Sequence, residues 1–329
     1  DFYYEPPTDY LALCTSNLSD PEIKKPGDHF NTILYDDGAG AKTGVGFQPD
    51  LVWVKSRGSA YEHEWTDAVR GVTKAISSDS TNAETTDSTG LTAFGTDGFT
   101  VGADTNYSDT TGSGMVAWNW LASNASPVTN TEGDRDSEVM ANTTAGFSIV
   151  NYVGASGTSH TYGHGLTQKP DLIIVKNRTY TTSWNVYNSP QGATKIIWLD
   201  SNSAEATGAG YWNDTEPTAT VFTVGNSSQT GGHTNTDGYM AYCFHSVEGY
   251  SKIGSWTGNG NADGTFIYTG FRPAYFLSKW LEGGDEWHIF DNKRDTYNYE
   301  SKMLDADTAN AETTPSTEPM DFVSNGVKF

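Results

Sequence analysis

Tyr211-Trp212-Asn213-Asp214 sets two aromatic rings beside an amide and a carboxylate, directly after Gly208-Ala209-Gly210. Sugars are held by this mixture. Aromatic faces stack on their apolar faces, while amide and carboxylate oxygens read their hydroxyls. These four residues are the candidate ligand-binding site, for a glycan or another surface receptor. Other constellations carry less. Asp36-Asp37-Gly38-Ala39-Gly40-Ala41-Lys42-Thr43 has the flavour of a phosphate loop. Such a loop needs Gly directly before Lys-Ser/Thr, and Ala41 stands there, so the segment reads as a Gly-rich hairpin. Asn259-Gly260-Asn261-Ala262-Asp263-Gly264 offers the first half of a calcium loop. Its twelfth position would be Gly270 rather than a bidentate glutamate, which excludes an EF-hand. A looser β-loop calcium site is the only cofactor the sequence offers, against a plain turn. His160 and His164 lack the third ligand that zinc requires, and no metal centre is expected.

Catalytic patterns are thin. There is no Gly-x-Ser-x-Gly elbow and no Cys–His pair at a family spacing. With 41 Asp and Glu in 329 residues, any glycosidase-like carboxylate pair can be imagined, which is evidence for none. The chain is expected not to be an enzyme. Against those 41 acids stand 19 Lys and Arg, for a net charge of −22. That balance repels phosphate, and the densest basic cluster, Lys293-Arg294, is flanked by acids, so nucleic acid is excluded as a partner. No apolar run approaches the ~18–20 residues of a membrane-spanning helix, and no membrane insertion is expected. Aromatics at 13% argue for a folded core. Cys14 and Cys243 make no disulfide framework; Cys243, between Tyr242 and Phe244, reads as a buried thiol.

The elements that would position these groups come from a repeat. Lys-x-Ile/Leu-x-x-Asp-x-x-Asn/Ser-Ala-Glu occurs at Lys74 to Glu84, at Lys195 to Glu205 and at Lys302 to Glu312. Upstream of each copy, a Pro (Pro49, Pro170, Pro273) is followed six positions later by Lys (Lys55, Lys176, Lys279) after an apolar run. A Trp follows in each, Trp65, Trp184 and Trp287, and is read as one recurring core position. Copies one and two close with Met115 to Trp120 and Tyr239 to Phe244. The third copy has no such segment before Phe329, so the native chain is expected to continue by ~20 residues or more to finish the module. Glu84, Glu205 and Glu312 recur in every copy and are each expected to hold their own module together, by pairing with the Lys ten residues earlier or by capping loop amides.

Periodicity is that of strands. Val52 and Val54 share one face of Leu51 to Lys55, and Val116, Trp118 and Trp120 alternate with Met115, Ala117 and Asn119. Asp97-Gly98 and Asn325-Gly326 signal hairpins with positive φ at both turn positions. Asp67 to Ser77 offers at most a turn or two of helix, with Gly71 against it. The fold class is therefore all-β, in tandem antiparallel β-sandwich (jelly-roll-like) modules. The expected boundaries are 29–128, 144–249 and 250–329, the last incomplete. Residues 1–28 would be the end of a preceding domain with a Pro-rich connector, and 129–143 a polar linker.

Gly46-Phe47-Gln48-Pro49-Asp50-Leu51-Val52-Trp53-Val54-Lys55, Asn82-Ala83-Glu84, Asp97-Gly98-Phe99, Val247 to Lys252 and Tyr268 to Pro273 together resemble a known group. They look like the repeat domains of large tail-fibre-like virion proteins of marine bacteriophages. Phe2-Tyr3-Tyr4-Glu5-Pro6-Pro7 with Tyr10 to Cys14 resembles the C-terminal edge of a SPRY-like domain. The resemblance implies a location in the extracellular phage particle, other virion proteins as partners, and homo-oligomeric assembly. It implies a structural protein acting in host-surface attachment. The alternatives are a purely architectural capsid-surface fibre or decoration protein and, more remotely, a glycan-degrading tailspike. Stacked β modules would make an acidic rod.

Overall fold

The computed structural model describes residues 21–36, 38–109, 111–315 and 320–329, and they are almost entirely β. The SPRY-like segment and Cys14 lie outside the described residues, as does Asp37. The first module holds β1 (Phe30–Tyr35), β2 (Gly40–Thr43), β3 (Leu51–Ser56), β4 (Glu64–Asp67), β5 (Lys74–Ser77), β6 (Thr85–Thr86), β7 (Leu91–Gly95), β8 (Gly98–Val101) and β9 (Met115–Trp120). The second holds β10 (Val128–Asn130), β11 (Ser137–Asn142), β12 (Phe147–Val153), β13 (His160–Gly163), β14 (Leu172–Asn177), β15 (Asn185–Asn188), β16 (Lys195–Trp198), β17 (Ala206–Thr207), a short helix α1 (Ala209–Trp212), β18 (Val221–Val224) and β19 (Gly238–Phe244). The third holds β20 (Phe266–Tyr268), β21 (Tyr275–Lys279), β22 (Trp287–Asp291), β23 (Leu304–Asp305), β24 (Asp321–Val323) and β25 (Gly326–Lys328).

The first two modules each have a long sheet and a short one, and the third has two sheets of three strands. The first pairs β1-β9-β3-β4-β5-β6 with β2-β8-β7; the second pairs β10-β11-β12-β19-β14-β15-β16-β17 with β13-β18. The third has β21-β22-β23 and β20-β25-β24. All strand pairs named here are antiparallel. The apolar runs after Pro49 and Pro170 become β3 and β14, central strands flanked on both sides, and both faces of β3 are buried because Leu51 and Trp53 enter one apolar cluster while Val52 and Val54 enter another. In the third module, among the described residues, β21 pairs only with β22 and every residue of it stays partly exposed. Among the described residues the exposed aromatics, Tyr180 apart, gather in the same module: Trp256, Phe266, Tyr268, Trp280, Tyr297 and Tyr299.

Several expectations need correction. Residues 129–143 are not a linker. Val128–Asn130 is the edge strand of the second long sheet and Ser137–Asn142 its neighbour, in register from Val128↔Val139 to Asn130↔Ser137. Asp67 to Ser77 is turns followed by β5, with Gly71 at φ +90° ending the turn before it could extend. The expected Gly-rich hairpin does not form between β1 and β2, because β1 pairs with β9 and β2 with β8, in different sheets. Both expected hairpins form, but one residue out of the expected register. Gly95↔Gly98 and Val323↔Gly326 close the pairs, leaving Thr96-Asp97 and Ser324-Asn325 in the loops. The glycines serve strand proximity instead. A Cβ at Gly98 or Gly326 would lie 2.0 Å from the carbonyl oxygen of Lys42 or Ile267 on the neighbouring strand.

The expected rod is also overturned, for one apolar cluster takes buried side chains from all three modules. Trp53, Trp65 and Trp118 meet Trp184, Tyr242 and Phe147, and these meet Trp287, Ile289 and Leu304. The modules also close on each other in a ring. The Glu84 N–H donates to the Arg178 carbonyl (2.9 Å), that of Glu205 to Leu281 (2.8 Å), and that of Glu312 to Arg57 (2.7 Å). Module 1 thus joins 2, 2 joins 3, and 3 joins 1. A head-to-tail contact that closes after three steps describes a pseudo-threefold arrangement.

Candidate functional site

The repeated residues sit at the junctions between modules. Arg178, just past β14, meets Glu84 with two hydrogen bonds, Nε to Oε2 at 2.8 Å and Nη2 to Oε1 at 3.0 Å. Beneath it Arg70 lies 3.5 Å from the same carboxylate and holds Asp67, whose Oδ2 also accepts the Tyr242 hydroxyl at 2.8 Å. The junction of modules 1 and 3 repeats this arrangement. Arg57 grips Glu312 at 3.0 and 2.8 Å, Arg294 stands 3.4 Å from Glu312 and 2.6 Å from Asp291, and Trp118 Nε1 donates to Asp291 at 3.1 Å. Planar guanidinium against carboxylate gives two parallel bonds, so each latch fixes orientation as well as distance. At the third junction Leu281 replaces the arginine, and Glu205 pairs with Lys195 at 2.8 Å inside its own module.

The recurring glutamates therefore act between modules rather than within their own, because their backbone N–H groups, and the carboxylates of Glu84 and Glu312, reach a neighbouring module; only Glu205 pairs with the lysine ten residues before it. Lys74 bonds Thr86 instead, and Lys302 the Arg294 carbonyl. Sequence reasoning missed the arginines. Their signal was Lys-x-Arg at Lys55-Ser56-Arg57 and Lys176-Asn177-Arg178 against Lys279-Trp280-Leu281, and Asp-x-x-Arg at Asp67–Arg70 and Asp291–Arg294.

The lysines after each Pro face inward. Lys176 Nζ donates to Thr81 (2.9 Å) and Thr182 (2.5 Å), and Lys279 Nζ to Asn202 (2.8 Å), bridging junctions, whereas Lys55 bonds Ser56 and Ser59 of its own module. Burial lowers the amines of Lys55 and Lys176 to about 8. The aspartates of the repeat oppose them. Burial raises Asp79 to about 7 and Asp307 to about 6, and shifts Asp200 upward. Each aspartate accepts one backbone N–H: His63 at 3.1 Å, Trp184 at 2.8 Å and Trp287 at 2.9 Å.

Those bonds correct the tryptophan alignment. His63, not Trp65, occupies the position of Trp184 and Trp287. The indoles of Trp184 and Trp287 donate across junctions to the Ser77 and Trp198 carbonyls, both at 2.8 Å. His63 accepts from Trp53 Nε1 at 3.0 Å and lies parallel to Trp118. Burial, with Lys55 and Arg294 nearby, holds its imidazole well below the ordinary value and therefore neutral.

The candidate ligand-binding residues do not form the expected platform. Trp212 is the last residue of α1 and is 1% exposed, packed edge-on against Tyr187 with ring centroids 6.0 Å apart. Gly208-Ala209-Gly210 turned out to start a helical turn that drives the indole into the second module's core. Asn213 and Asp214 follow in the left-handed region at φ 54° and 48°, both exposed. Tyr211 packs on Trp198. Asn213 does border an open recess of about 420 Å³, shared with Thr158, Ser159 and Asn226.

The other candidates spend their polar atoms locally. Asn259 and Asn261 cap the N–H groups of Asn261 and Asp263 at 3.0 Å, and Asp263 pairs with Lys328 at 2.7 Å. His160 pairs with Asp134 at 3.1 Å, while His164 is buried, accepts from the Leu166 N–H and is lowered to about 4 by burial. Cys243 is buried, which pushes its thiol up.

Taken together these features define an all-β, sandwich-type protein whose repeated polar residues act between modules. Within that class, the chain belongs to the family described as Domain of unknown function (DUF7483), which matches residues 25–329. No curated protein and no solved structure matches it.

Proposed function

We propose that the chain is a non-enzymatic structural part of a bacteriophage virion, a tail-fibre or appendage segment acting in host-surface attachment. The observation that carries this reading is the closed ring of modules. Two buried charged latches and one shared aromatic core make a stiff acidic body that presents loops at fixed spacing, as an extracellular appendage requires. The phage setting rests on the resemblance of the repeats. The recess bordered by Thr158, Ser159, Asn213 and Asn226 is the polar surface best suited to hydroxyl-rich ligands.

A purely architectural role is the second reading, and the burial of Trp212 favours it, since the aromatic best placed to stack on a sugar faces inward. Labelled soluble chain applied to host cells separates the two. Attachment predicts saturable binding, reduced several-fold by Asn213→Ala combined with Asn226→Ala. No binding, with density for the chain on assembled particles, selects architecture. Release of reducing sugar from host polysaccharide would overturn both.

A further inference from the structure

We propose that the first module carries a divalent-cation site of the calcium class, in the recess where Glu62 and Glu64 face Asp87, Asp104 and Asn106. The recess holds about 160 Å³ and also touches Ser77. Its central group is Glu64, on β4 and 4% exposed. Glu64 Oε1 accepts from Ser77 Oγ at 2.9 Å and from Asn106 Nδ2 at 3.1 Å, but its Oε2 is buried with no donor. Glu62 Oε2 lies 2.9 Å from the same Ser77 hydroxyl. One hydroxyl proton cannot serve two carboxylates, so this pair is short of positive charge. No Lys, Arg or His lines the recess.

Either a proton or a cation can make up that shortage. Burial, followed by the charges of Glu62, Asp79 and Asp104, raises Glu64 to about 8, opposed by the Ser77 bond. A proton on Glu64 would still leave Glu62, Asp87 and Asp104 facing one another; Asp104 is itself raised by burial and then by Asp87 and Glu62. A cation answers all four. The donors are oxygens only, which selects a hard ion, and the space admits an ion with several waters, at ~30 Å³ per water. Among the described residues no three acidic or histidine side chains converge on one point. Glu62 and Glu64 would therefore bind directly, and water would bridge to Asp87 and Asp104. Calcium tolerates such irregular, partly hydrated coordination better than magnesium. The charge is private to this module. The places of Glu64 in the others are taken by Asn185, which has no charge, and His288, which pairs with Asp305 at 2.8 Å.

Calorimetric titration of the chelator-treated full chain with calcium chloride at pH 8 tests this. The expected result is one saturable site with a rise in Tm, and at least a tenfold loss of affinity in Glu64→Gln. Glu62→Gln, at the partly exposed rim, should weaken binding similarly and covers the case in which Glu64→Gln fails to fold. Glu248→Gln, an exposed acid elsewhere, should bind as the parent does. Absence of saturable binding at millimolar calcium would overturn the proposal, as Glu64 would then hold a proton. Equal binding by the parent and both glutamine variants would overturn it too, as diffuse attraction to a body of charge −22.

Discussion

Where module 2 meets module 1, Arg178 holds Glu84 by two hydrogen bonds over a buried Arg70–Asp67 pair, and the junction of modules 1 and 3 repeats this with Arg57, Glu312, Arg294 and Asp291. Where module 3 meets module 2, the same positions hold Leu281, Glu205, Gln191 and Asn188, and Glu205 turns back to Lys195. The backbone bond from the glutamate N–H survives in all three. The shared fold therefore sets which chain segments touch, and side-chain charge decides how firmly. Burying ions is costly unless each is paired, so the two latches add orientation and a heavy penalty for partial loss. The neutral junction relies on the apolar cluster, the Lys279–Asn202 bond and the Trp287–Trp198 bond.

The largest effect should come from Arg70→Ala. Its side chain is wholly buried and also donates to the Trp65 and Lys74 carbonyls, so removal takes the cation from buried Asp67 and leaves Glu84 with Arg178 alone. A loss of about 3–5 kcal/mol is expected in urea unfolding. Gln191→Ala, at the same repeat position in module 2, should cost about 1 kcal/mol or less, because the site holds no buried ion. Equal losses would break the contrast between junctions.

Next come double-mutant cycles. Glu84 with Arg178, and Glu312 with Arg57, should each couple by about 1–2 kcal/mol, as bidentate pairs at 12–22% side-chain exposure. Glu205 with Lys195, at 23–35% exposure, should couple by under about 1 kcal/mol and fade with salt. Leu281→Arg sharpens the comparison. If the missing arginine is what separates the third junction, the variant should acquire measurable coupling to Glu205.

The sequence made strands and repeats readable, because those follow from period-two alternation and fixed spacing along the chain. It hid what depends on a partner far away in the sequence. Glu84 finds Arg178 and Glu312 finds Arg57 across 94 and 255 residues, and no local pattern records such a pairing. Trp65 looked like the partner of Trp184 because both are tryptophans, while backbone bonds to Asp79 and Asp200 put His63 there. Trp212 looked exposed beside Asn213-Asp214, yet one helical turn buried it. A chain rich in turn residues shows where it bends more clearly than which side of the bend faces in.

The smallest expected effect concerns a feature the three modules share, and so bounds how far the contrast between junctions extends. Asp79 at about 7 and Asp307 at about 6, with Asp200 also raised, keep protons in the folded state that an unfolded aspartate, near 3.8, has lost. The folded state then binds more protons than the unfolded one, so stability falls as pH rises from about 4 towards 7. Lys55 and Lys176 act in the other direction at higher pH. Lowered to about 8 from 10.5, they make the folded state bind fewer protons, so their contribution rises with pH across that interval. Thermal melts should therefore show Tm declining between pH 5 and pH 7. Asp79→Asn preserves an oxygen for the His63 N–H and removes the ionisation, so it should flatten that decline in part. Asp307→Asn should do the same, its window ending lower, near pH 6. Because each aspartate sits beside a repeat lysine rather than a latch arginine, this pH response should persist when Arg57 or Arg178 is replaced. A response that vanished with either arginine would place the titration in the latches instead.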